Sequence, residues 1–472
     1  DPGVKMKPLT FWNKIGYGAG ALTENNVQNV VNIMLPLIMF NYMGVSPILL
    51  GYVFAIARLW DTVTDPLMGY LSDRTRSRFG KRKPYILVGA VMSAFSFWLI
   101  WMFPEGKSQM WYFWYLTATC LLFYTSTTLF CVPYISMGYE LSMDYNERTR
   151  VMGYRSFFVN CGAFILPWMY WFTERSWFDT PLQGMRCLSV ISGVIFILFA
   201  LGPLLLTPTV SSRKEDMERR GERERYERIG VMDIFTAFRV RPFLILVVVL
   251  ALSVFGLFLV LSFGLNLLIY YGCGGDKEFA SRLAGIGGLV SAGSCIAAIP
   301  VVNFVSKKLG KSRALMLFLL LGALGNLSIL VLITPAMPYL SVLQPILGAV
   351  GISAMWMLIS AMVSDSCDYD ELYNHRRREG IFGAIISWTC KLGYVLCSIG
   401  GGYFLVWSGF ELELGGGQQP GTFWNMRLMM SCIPAAGLVL AACTLYFYPL
   451  SRERMLEIRN ALEKRKTKDE RE

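Results

Sequence analysis

The sequence has few charged residues for its length of 472. Asp, Glu, Lys and Arg make up 16% of it and hydrophobic residues 54%, whereas a soluble globular chain averages about 25% charged residues. The polar residues are therefore too few to cover a soluble body of this size. We predict an all-α polytopic membrane protein. Uncharged stretches near the ~20 residues that a helix needs to cross a bilayer recur at 84–103, 187–207, 243–271, 315–332 and 340–363.

Histidine is almost absent, and the cysteines follow no ligand pattern. The single histidine, His375, lies in a charged loop and cannot serve a catalytic triad inside a membrane pocket. The 11 cysteines show neither the spacing of a metal site nor that of a secreted disulfide framework. Because no nucleophile–base pair is visible at membrane depth, we expect neither an enzyme nor a bound cofactor.

Basic residues give the chain a net charge of +11, but they cluster in loops between the apolar stretches. Loop 72–83 carries six Lys and Arg residues and loop 209–241 carries nine, whereas loops 43–47 and 334–338 carry none. This alternation follows the positive-inside rule. We therefore expect both termini on the cytoplasmic side and no nucleic-acid partner.

The hydropathy pattern predicts twelve spans in two halves. Gly80-Lys-Arg-Lys83 precedes the third span and Gly310-Lys-Ser-Arg313 precedes the ninth, and this internal echo indicates duplicated halves. The expected domains are an N-terminal six-helix bundle at 1–208, a charged cytoplasmic linker at 209–241, a C-terminal six-helix bundle at 242–449 and a cytoplasmic tail at 450–472. The predicted spans are 16–43, 47–72, 83–104, 110–139, 149–173, 186–208, 242–271, 279–305, 312–334, 338–364, 380–408 and 422–449.

Two aspartates in the second span are the strongest functional signal. Asp61 and Asp65 are four residues apart, so both carboxylates project from one face of a helix, with Arg58 one turn earlier. Charged groups at membrane depth are costly, and they usually face a water-filled cavity or a bound ligand. We expect this pair of carboxylates to bind a cation.

Other polar residues within the spans allow two interpretations each. Glu24 and Asn25 could face a cavity or bond to a neighbouring helix. Arg155 and Lys391 could bind substrate or belong to a charge network that only locks helices together. Trp356 could be a core residue or a platform for a sugar ring.

Several motifs resemble those of one transporter family. They are Ala57-Arg-Leu-Trp-Asp-Thr-Val-Thr-Asp-Pro-Leu-Met-Gly69, Thr75-Arg-Ser-Arg-Phe-Gly-Lys-Arg-Lys-Pro-Tyr85, Val132-Pro-Tyr134, Asn146-Glu-Arg-Thr-Arg150 and Cys367-Asp-Tyr-Asp-Glu371. In this order they resemble the signature of the melibiose-permease-like glycoside–pentoside–hexuronide:cation symporters of the major facilitator superfamily. The resemblance implies the major facilitator fold, with twelve transmembrane helices in two six-helix bundles, and alternating-access symport of a cation with a sugar or glycoside.

In that family, two aspartates of the second span and a threonine of the fourth form the Na⁺ or H⁺ site. The resemblance places Asp61, Asp65 and Thr128 in these roles, with Thr64 between the acids. Oxygen ligands suit a hard cation, and a proton could use the same carboxylates. The coupling ion is therefore expected to be Na⁺ or H⁺, and the threonines favour Na⁺.

The substrate side departs from the family's melibiose carriers. Their span-five arginine, span-ten tryptophan and span-eleven lysine are kept here as Arg155, Trp356 and Lys391. A pocket that loses acids and keeps cations suits an acidic sugar such as a uronide, although the acid in the first span opposes this. The positions at which those carriers have other residues are Glu24, Asn25, Thr127 and Cys131.

Charged residues near the basic loops are expected to form the ion pairs of an inner gate. Such pairs are strong only when they are shielded from water. The expected gating residues are Arg58, Asp73, Arg78, Lys81, Asp365 and Asp368.

Two other functional classes remain open. A Na⁺-linked lysolipid carrier shares the double-aspartate stretch and would have a pocket that opens sideways to lipid. An uncoupled receptor or scaffold would tolerate Asp61→Asn without loss of function. The expected partners are a small-molecule sugar, the coupling cation and the lipid bilayer, and the expected state is a monomer in a bacterial inner membrane.

Overall fold

The computed structural model describes residues 9–75, 77, 79–141, 145–208, 236–259, 261–374, 379–419 and 421–469. All regular secondary structure in these ranges is helical. The chain divides into two compact units, unit 1 (Asp1–Glu227) and unit 2 (Arg228–Glu472). Unit 1 contains α1 (Phe11–Asn41), α2 (Pro47–Arg74), α3 (Lys83–Ile100), α4 (Gln109–Glu140), α5 (Tyr145–Thr173) and α6 (Pro181–Leu205).

Unit 2 contains nine α-helices within the described residues. A π-helical turn, Leu268–Gly272, extends α8, and two short 3-10 helices are formed by Pro338–Leu343 and Leu412–Leu414. The α-helices are α7 (Arg241–Leu259), α8 (Leu261–Leu267), α9 (Lys277–Leu309), α10 (Lys311–Leu327), α11 (Ile329–Leu332), α12 (Gln344–Asn374), α13 (Glu379–Trp407), α14 (Thr422–Leu445) and α15 (Arg452–Asp469).

Local sequence signals account for several helix boundaries. Thr10 begins a capping box at the start of α1. The side chains of Ser108, Thr180 and Asp276 accept hydrogen bonds from backbone amides in the first turns of α4, α6 and α9. Such caps satisfy amides that have no partner within the helix. Gly310 separates α9 from α10 at a φ of 84°, in the region that favours glycine.

Ten helical segments in the described part of the chain are long and apolar enough to cross a membrane. Helices α1 and α5 are also long, at 31 and 29 residues, but they carry more polar side chains. With α7–α8 and α10–α11 each counted as one pass, the described helices make six long passes in each unit. The predicted fold class, all-α and polytopic with two six-helix bundles, is confirmed.

Helix α12 is longer than the predicted span 338–364. It begins at Gln344, after a short 3-10 helix, and continues to Asn374. The extension carries the buried Asp365, whose Oδ2 lies 2.6 Å from Nζ of Lys311 in α10. The sequence predicted a loop here because charged residues follow position 364. The ion pair offsets the charge of Asp365, the first acidic residue of the extension.

Two further boundaries differ from the prediction. The predicted span 312–334 is interrupted at Ser328, which separates α10 from α11. The predicted tail 450–472 contains α15, which packs against α12. Most of the predicted linker, residues 209–235, lies outside the described residues.

The two units repeat one packing scheme. In unit 1, α1 packs against α5 and α6, α4 packs against α2 and α3, and α3 packs against α6. In unit 2, α7 packs against α13 and α14, α12 packs against α9 and α10, and α10 packs against α14. When the six long passes of each unit are numbered from one to six, the same five pairs of passes are in contact in both units. The internal echo in the sequence therefore corresponds to a structural repeat.

Glycines permit the closest helix contacts in both units. A Cβ added to Gly89 of α3 would lie 2.5 Å from the amide nitrogen of Phe130 in α4. In unit 2, a Cβ added to Gly351 of α12 would lie 2.8 Å from the Cα of Gly322 in α10. Small residues allow membrane helices to approach this closely. In each half, the close contact between the third and the fourth pass therefore depends on glycine.

We expect Gly351→Ala to lower the free energy of unfolding by about 1–3 kcal/mol, because overpacking a close contact forces the backbone to shift. Thermal unfolding of the detergent-solubilised protein would show this as a lower Tm. Gly287→Ala in α9 is the matched control, because an added Cβ there meets no described atom within 4 Å. Equal destabilisation by both variants would contradict the packing role of Gly351.

Cations join α3 and α6 at both ends. Arg186 of α6 donates to the carbonyl oxygens of Trp101 and Phe103 at the end of α3, at 3.1 and 2.7 Å. Lys83, at the start of α3, donates to the carbonyl oxygen of Thr207 beyond the end of α6, at 2.7 Å. Cations at helix C-termini satisfy carbonyl groups that have no helical partner. Lys83 of the basic loop therefore caps a helix inside unit 1.

Candidate functional site

Helix α2 places the two predicted carboxylates on one face. Asp61 is 5% exposed and Thr64 is 8% exposed, whereas Asp65 is half-buried. The Thr64 hydroxyl donates to the backbone carbonyl of Asp61 at 3.4 Å, within its own helix. Pro66 follows Asp65 inside α2 and has no N–H to donate to the carbonyl of Thr62, so the helix is weakened next to the site.

Helix α4 supplies a third group to these carboxylates. The hydroxyl oxygen of Thr128 lies 2.9 Å from Oδ1 of Asp61 and 3.1 Å from Oδ1 of Asp65. Thr128 is buried, and its single proton can be donated to only one carboxylate at a time. Three side-chain oxygens therefore converge where α2 meets α4. The structure brings together Asp61, Asp65 and Thr128, and all three belong to unit 1.

The chemistry of these oxygens suits a cation. Two ionised carboxylates carry two negative charges, and Nη1 of Arg58 lies 4.0 Å from Oδ2 of Asp61. This guanidinium offsets part of the charge of the two carboxylates. Carboxylate and hydroxyl oxygens are ligands that hard cations prefer. No group of three or more His, Cys, Asp or Glu side chains in the described residues could hold a metal ion.

Arg58, which the sequence assigned to gating, lies next to the carboxylates of α2. Its Cζ atom is 4.9 Å from the ring centroid of Tyr124 in α4, within range of a cation–π interaction. Tyr124 precedes Thr128 by four residues, so both side chains lie on the same face of α4. The guanidinium therefore lies between an aromatic ring and a carboxylate.

The predicted substrate residues of unit 1 lie on three helices. Thr127 of α4 is buried, its hydroxyl donates to the carbonyl of Tyr124 at 3.0 Å, and it accepts from Nε2 of Gln28 in α1 at 3.2 Å. Cys131 packs against the hydrophobic core of the unit, and Arg155 of α5 is half-buried. The side chains that lie outside the described residues are those of Glu24 and Asn25.

The other predicted substrate residues belong to unit 2. Trp356 of α12 is 38% exposed, and Lys391 of α13 is half-buried. The glycines that precede Trp356 in α12 lie against α10: a Cβ added to Gly351 would approach Gly322, and a Cβ added to Gly325 of α10 would lie 2.6 Å from the amide nitrogen of Gly348. The substrate roles of Trp356 and Lys391 stay predictions.

The predicted gating residues lie in both units. Asp365 is buried and forms its ion pair with Lys311 inside unit 2. Lys81 and Asp368 are half-buried. The side chain of Asp73 and the whole of Arg78 lie outside the described residues.

Sequence reasoning missed three polar residues between α1 and α4, namely Gln28, Asn32 and Tyr124. The Tyr124 hydroxyl donates to Oδ1 of Asn32 at 2.9 Å. In the sequence, Asn25, Gln28 and Asn32 recur at intervals of three and four residues, which is typical of one helix face. Because Asn26 and Asn29 lie between these residues in the sequence, the interval alone does not single out Gln28 and Asn32.

Comparison with known proteins identifies full-length relatives. The family described as MFS/sugar transport protein matches residues 16–452. The chain is 26% identical over 471 residues to the uncharacterized symporter YnaJ of Bacillus subtilis (strain 168), covering 98% of this chain and 96% of that protein. It is 25% identical over 476 residues to the isoprimeverose transporter of Lactiplantibacillus pentosus, covering 95% of this chain and 91% of that protein.

Two further similarities concern one part of the sequence and the fold of the whole chain. Over 155 residues the chain is 30% identical to the sodium-dependent lysophosphatidylcholine symporter 1-A of Danio rerio, covering 32% of this chain and 28% of that protein. The crystal structure of the nucleoside transporter NupG matches with a TM-score of 0.64 at 14% identity, covering 92% of this chain and 99% of that one. At this identity the structural likeness concerns the fold alone.

Proposed function

Because the chain belongs to the MFS/sugar transport protein family, we propose that it is a secondary active transporter that moves a sugar or glycoside together with a cation. The observation that carries the proposal is the convergence of the Thr128 hydroxyl on the carboxylates of Asp61 and Asp65. Relatives named as a symporter and as an isoprimeverose transporter, aligned with 98% and 95% of this chain, support it.

The cation binds where α2 meets α4. Without it, the Thr128 proton is donated to one of the two carboxylates. When the cation enters, the hydroxyl rotates, so that its lone pairs face the ion and its proton points away. The ion also reduces the repulsion between Asp61 and Asp65 within α2, and it joins α2 to α4 because the Thr128 hydroxyl of α4 is one of its ligands.

Cation and sugar binding are coupled through alternating access, in which two helical bundles expose one site to each side of the membrane in turn. Each ligand raises the affinity of the carrier for the other by the same factor, because the coupling free energy is reciprocal. Symport then requires that the carrier with only one ligand bound changes its access slowly.

Na⁺ is the proposed coupling ion, and H⁺ is the alternative. A metal cation needs several oxygen ligands at once, whereas a proton needs only one carboxylate. Three converging side-chain oxygens therefore support Na⁺. Thr64 lies on the same helix between the acids, with its hydroxyl bonded to the backbone of Asp61, and a modest rotation would add a fourth oxygen.

The proposed substrate class is an acidic sugar such as a uronide. Arg155 and Lys391 are cations of the kind that binds a carboxylate, and they carry this part of the proposal. The similarity to an isoprimeverose transporter makes isoprimeverose a necessary member of any test panel. The remaining proposed substrate contacts are Glu24, Asn25, Thr127, Cys131 and Trp356.

Uptake into proteoliposomes tests the proposal. The purified chain is reconstituted and supplied with labelled uronides and isoprimeverose, with inward Na⁺ and H⁺ gradients imposed separately. We expect accumulation of a uronide under the Na⁺ gradient. Preferred uptake of isoprimeverose would support the proposal of sugar symport and reject an acidic sugar as the substrate. Uptake driven only by the H⁺ gradient would reject Na⁺, and the absence of gradient-driven uptake for every sugar would reject sugar symport.

A lysolipid is the second candidate substrate. The observation that favours it is the local similarity to a sodium-dependent lysophosphatidylcholine symporter. That similarity covers 32% of the chain, whereas the sugar-transport family matches residues 16–452, so the sugar ranks first. Na⁺-dependent transfer of fluorescent lysophosphatidylcholine in the same proteoliposomes, without sugar uptake, would reverse this order.

The proposed location is a bacterial inner membrane, with the protein acting as a monomer and both termini in the cytoplasm. Bacterial relatives along the whole chain support the location. The concentration of Lys and Arg in alternate loops supports the orientation. In this orientation the Lys311–Asp365 pair lies near the cytoplasmic side, where the inner gate is proposed.

A further inference from the structure

The last turn of α9 carries a lysine that lies over an aromatic ring. Nζ of Lys308 is 4.4 Å from the ring centroid of Phe304, one turn earlier in the helix, within range of a cation–π interaction. Helix α9 is long and apolar enough to cross a membrane, and a lysine near the end of such a helix usually extends outwards to water. The ammonium group of Lys308 is held instead beside a ring inside the last turns of the helix.

This lysine ends an exposed apolar stripe of α9, formed by Val301 and Phe304. Val301, Phe304 and Lys308 follow at intervals of three and four residues, so they share one face of the helix. Val301 is 50% exposed and Phe304 is 58% exposed, and Lys308 is exposed as well. On a helix that crosses a bilayer, an apolar stripe followed by a cation matches an acyl chain followed by a charged headgroup.

Further cations lie around the end of α9. Nη1 of Arg452, the first residue of α15, donates to the carbonyl oxygen of Lys307 at 2.8 Å. Lys307, Arg313 and Arg452 are all exposed. One carboxylate, that of Glu453, lies beside them: hydrogen bonds within its own turn, and then the charges of Arg313 and Arg452, lower its pKa. With Lys308, four cations and one carboxylate share this surface, so positive charge is in excess.

Packing on both sides fixes the position of Arg452. Leu450 and Met455 are 6% and 8% exposed and belong to the apolar cluster that attaches α15 to the unit. Tyr369 and Leu372 of α12 pack against the same cluster. A cation that is held in place in this way loses little freedom when an anion binds nearby. The charge at the start of α15 is therefore preorganised next to the end of α9.

We propose that the exposed end of α9, together with the start of α15, binds the headgroup of an anionic phospholipid. Lys308 donates to the phosphate oxygens, and the acyl chains lie along the exposed apolar stripe. Lys307, Arg313 and Arg452 surround the headgroup with positive charge, which favours a lipid with a net negative charge over a zwitterionic one. This site lies outside the cation site of unit 1 and goes beyond the proposed function.

Thermal stability in defined lipid tests this site without a known sugar. The purified full-length chain in a neutral detergent receives rising amounts of phosphatidylglycerol or, separately, of phosphatidylcholine with the same acyl chains. A bound lipid raises Tm by linkage. We expect phosphatidylglycerol to raise Tm saturably and phosphatidylcholine to raise it much less. Lys308→Gln should raise the half-saturating concentration of phosphatidylglycerol about fivefold, and Lys307→Gln with Lys308→Gln should raise it about 25-fold.

The double variant Arg239→Gln with Arg241→Gln is the matched control. Both arginines are exposed near the start of α7, so this variant loses the same charge from the same unit, and its half-saturating concentration should equal that of the unaltered chain. Lys308→Arg keeps a cation beside Phe304 and should also bind normally. Potassium phosphate, compared with KCl at equal ionic strength, should leave Tm unchanged, because a free phosphate has no acyl chain for the exposed stripe.

Three outcomes would overturn the proposed lipid site. Equal losses in the two double variants would show that basic loops attract acidic lipid in general. Equal stabilisation by the two lipids would show that the charge of the headgroup is not recognised. Stabilisation by potassium phosphate would assign the cations to a free anion. Sugar uptake is not measured in any of these experiments, so each outcome leaves the proposed function to the uptake experiment in proteoliposomes.

Discussion

Asp61→Asn is expected to abolish Na⁺-driven sugar uptake while the protein remains folded. The amide keeps the shape of the side chain and an oxygen for Thr128, which lies 2.9 Å from Oδ1 in the unaltered chain. It removes one of two negative charges, and with Arg58 4.0 Å away the site no longer attracts a cation. Attraction between two unit charges about 4 Å apart is worth about 4 kcal/mol near a protein surface. The initial rate of uptake in proteoliposomes should therefore fall at least about 100-fold.

Asp276→Asn is the matched control for this substitution. Asp276 caps α9 by accepting from the amide of Phe279 at 2.9 Å, and asparagine caps a helix equally well. Uptake by this variant should equal that of the unaltered chain. Thr128→Val, which removes only the hydroxyl, should give an intermediate loss that Thr128→Ser restores. Normal gradient-driven uptake by Asp61→Asn would reject the cation site and favour an uncoupled receptor or scaffold.

Lys311→Met is expected to lower the free energy of unfolding of unit 2 by about 1–3 kcal/mol. The Asp365 side chain is 6% exposed and its Oδ2 lies 2.6 Å from Nζ of Lys311, so the substitution removes a cation from beside a buried carboxylate. Breaking a fully buried pair costs about 3–5 kcal/mol. The loss is smaller here because the Lys311 side chain is 37% exposed and water screens it. Thermal unfolding would measure the difference.

The double variant Lys311→Met with Asp365→Asn should recover most of the lost stability, because both charges are then removed. Arg454→Met is the control for an exposed pair. Arg454 and Glu457 lie 2.8 Å apart with side chains 51% and 64% exposed, so the change in Tm should be much smaller. If the double variant has normal stability but altered uptake, the gating role of Asp365 is supported. If its uptake is also normal, the Lys311–Asp365 pair contributes to folding and has no role in gating.

The fold was predictable because its main signals are local. A span of about 20 apolar residues indicates a membrane helix whatever surrounds it, and the repeated basic motifs at Gly80–Lys83 and Gly310–Arg313 indicate the duplication. The ends of α12 and the break at Ser328 were not predictable in the same way. The C-terminal extension of α12 contains an ion pair to another helix, Lys311–Asp365, which hydropathy does not report.

Some residues of the candidate site were likewise predictable from local sequence patterns, and others were not. The two carboxylates of α2 were predictable from the sequence, because an interval of four residues places both on one helix face. Thr128 entered only through resemblance to a family, because the register of α4 against α2 is not encoded in either helix alone. Asn32 and Tyr124 were missed because each is an ordinary residue within an apolar span until the packing brings them together.

By itself, the amino-acid sequence determined that this chain is helical, polytopic, duplicated and equipped with paired acids at membrane depth, since hydropathy and helical periodicity act over a few turns. The tertiary structure decided which residues meet those acids: the Thr128 hydroxyl, the Arg58 guanidinium and, through Tyr124, helix α1. Contacts between α1, α2 and α4 depend on how glycines and bulky side chains interlock across separate helices. Local patterns do not encode that interlocking.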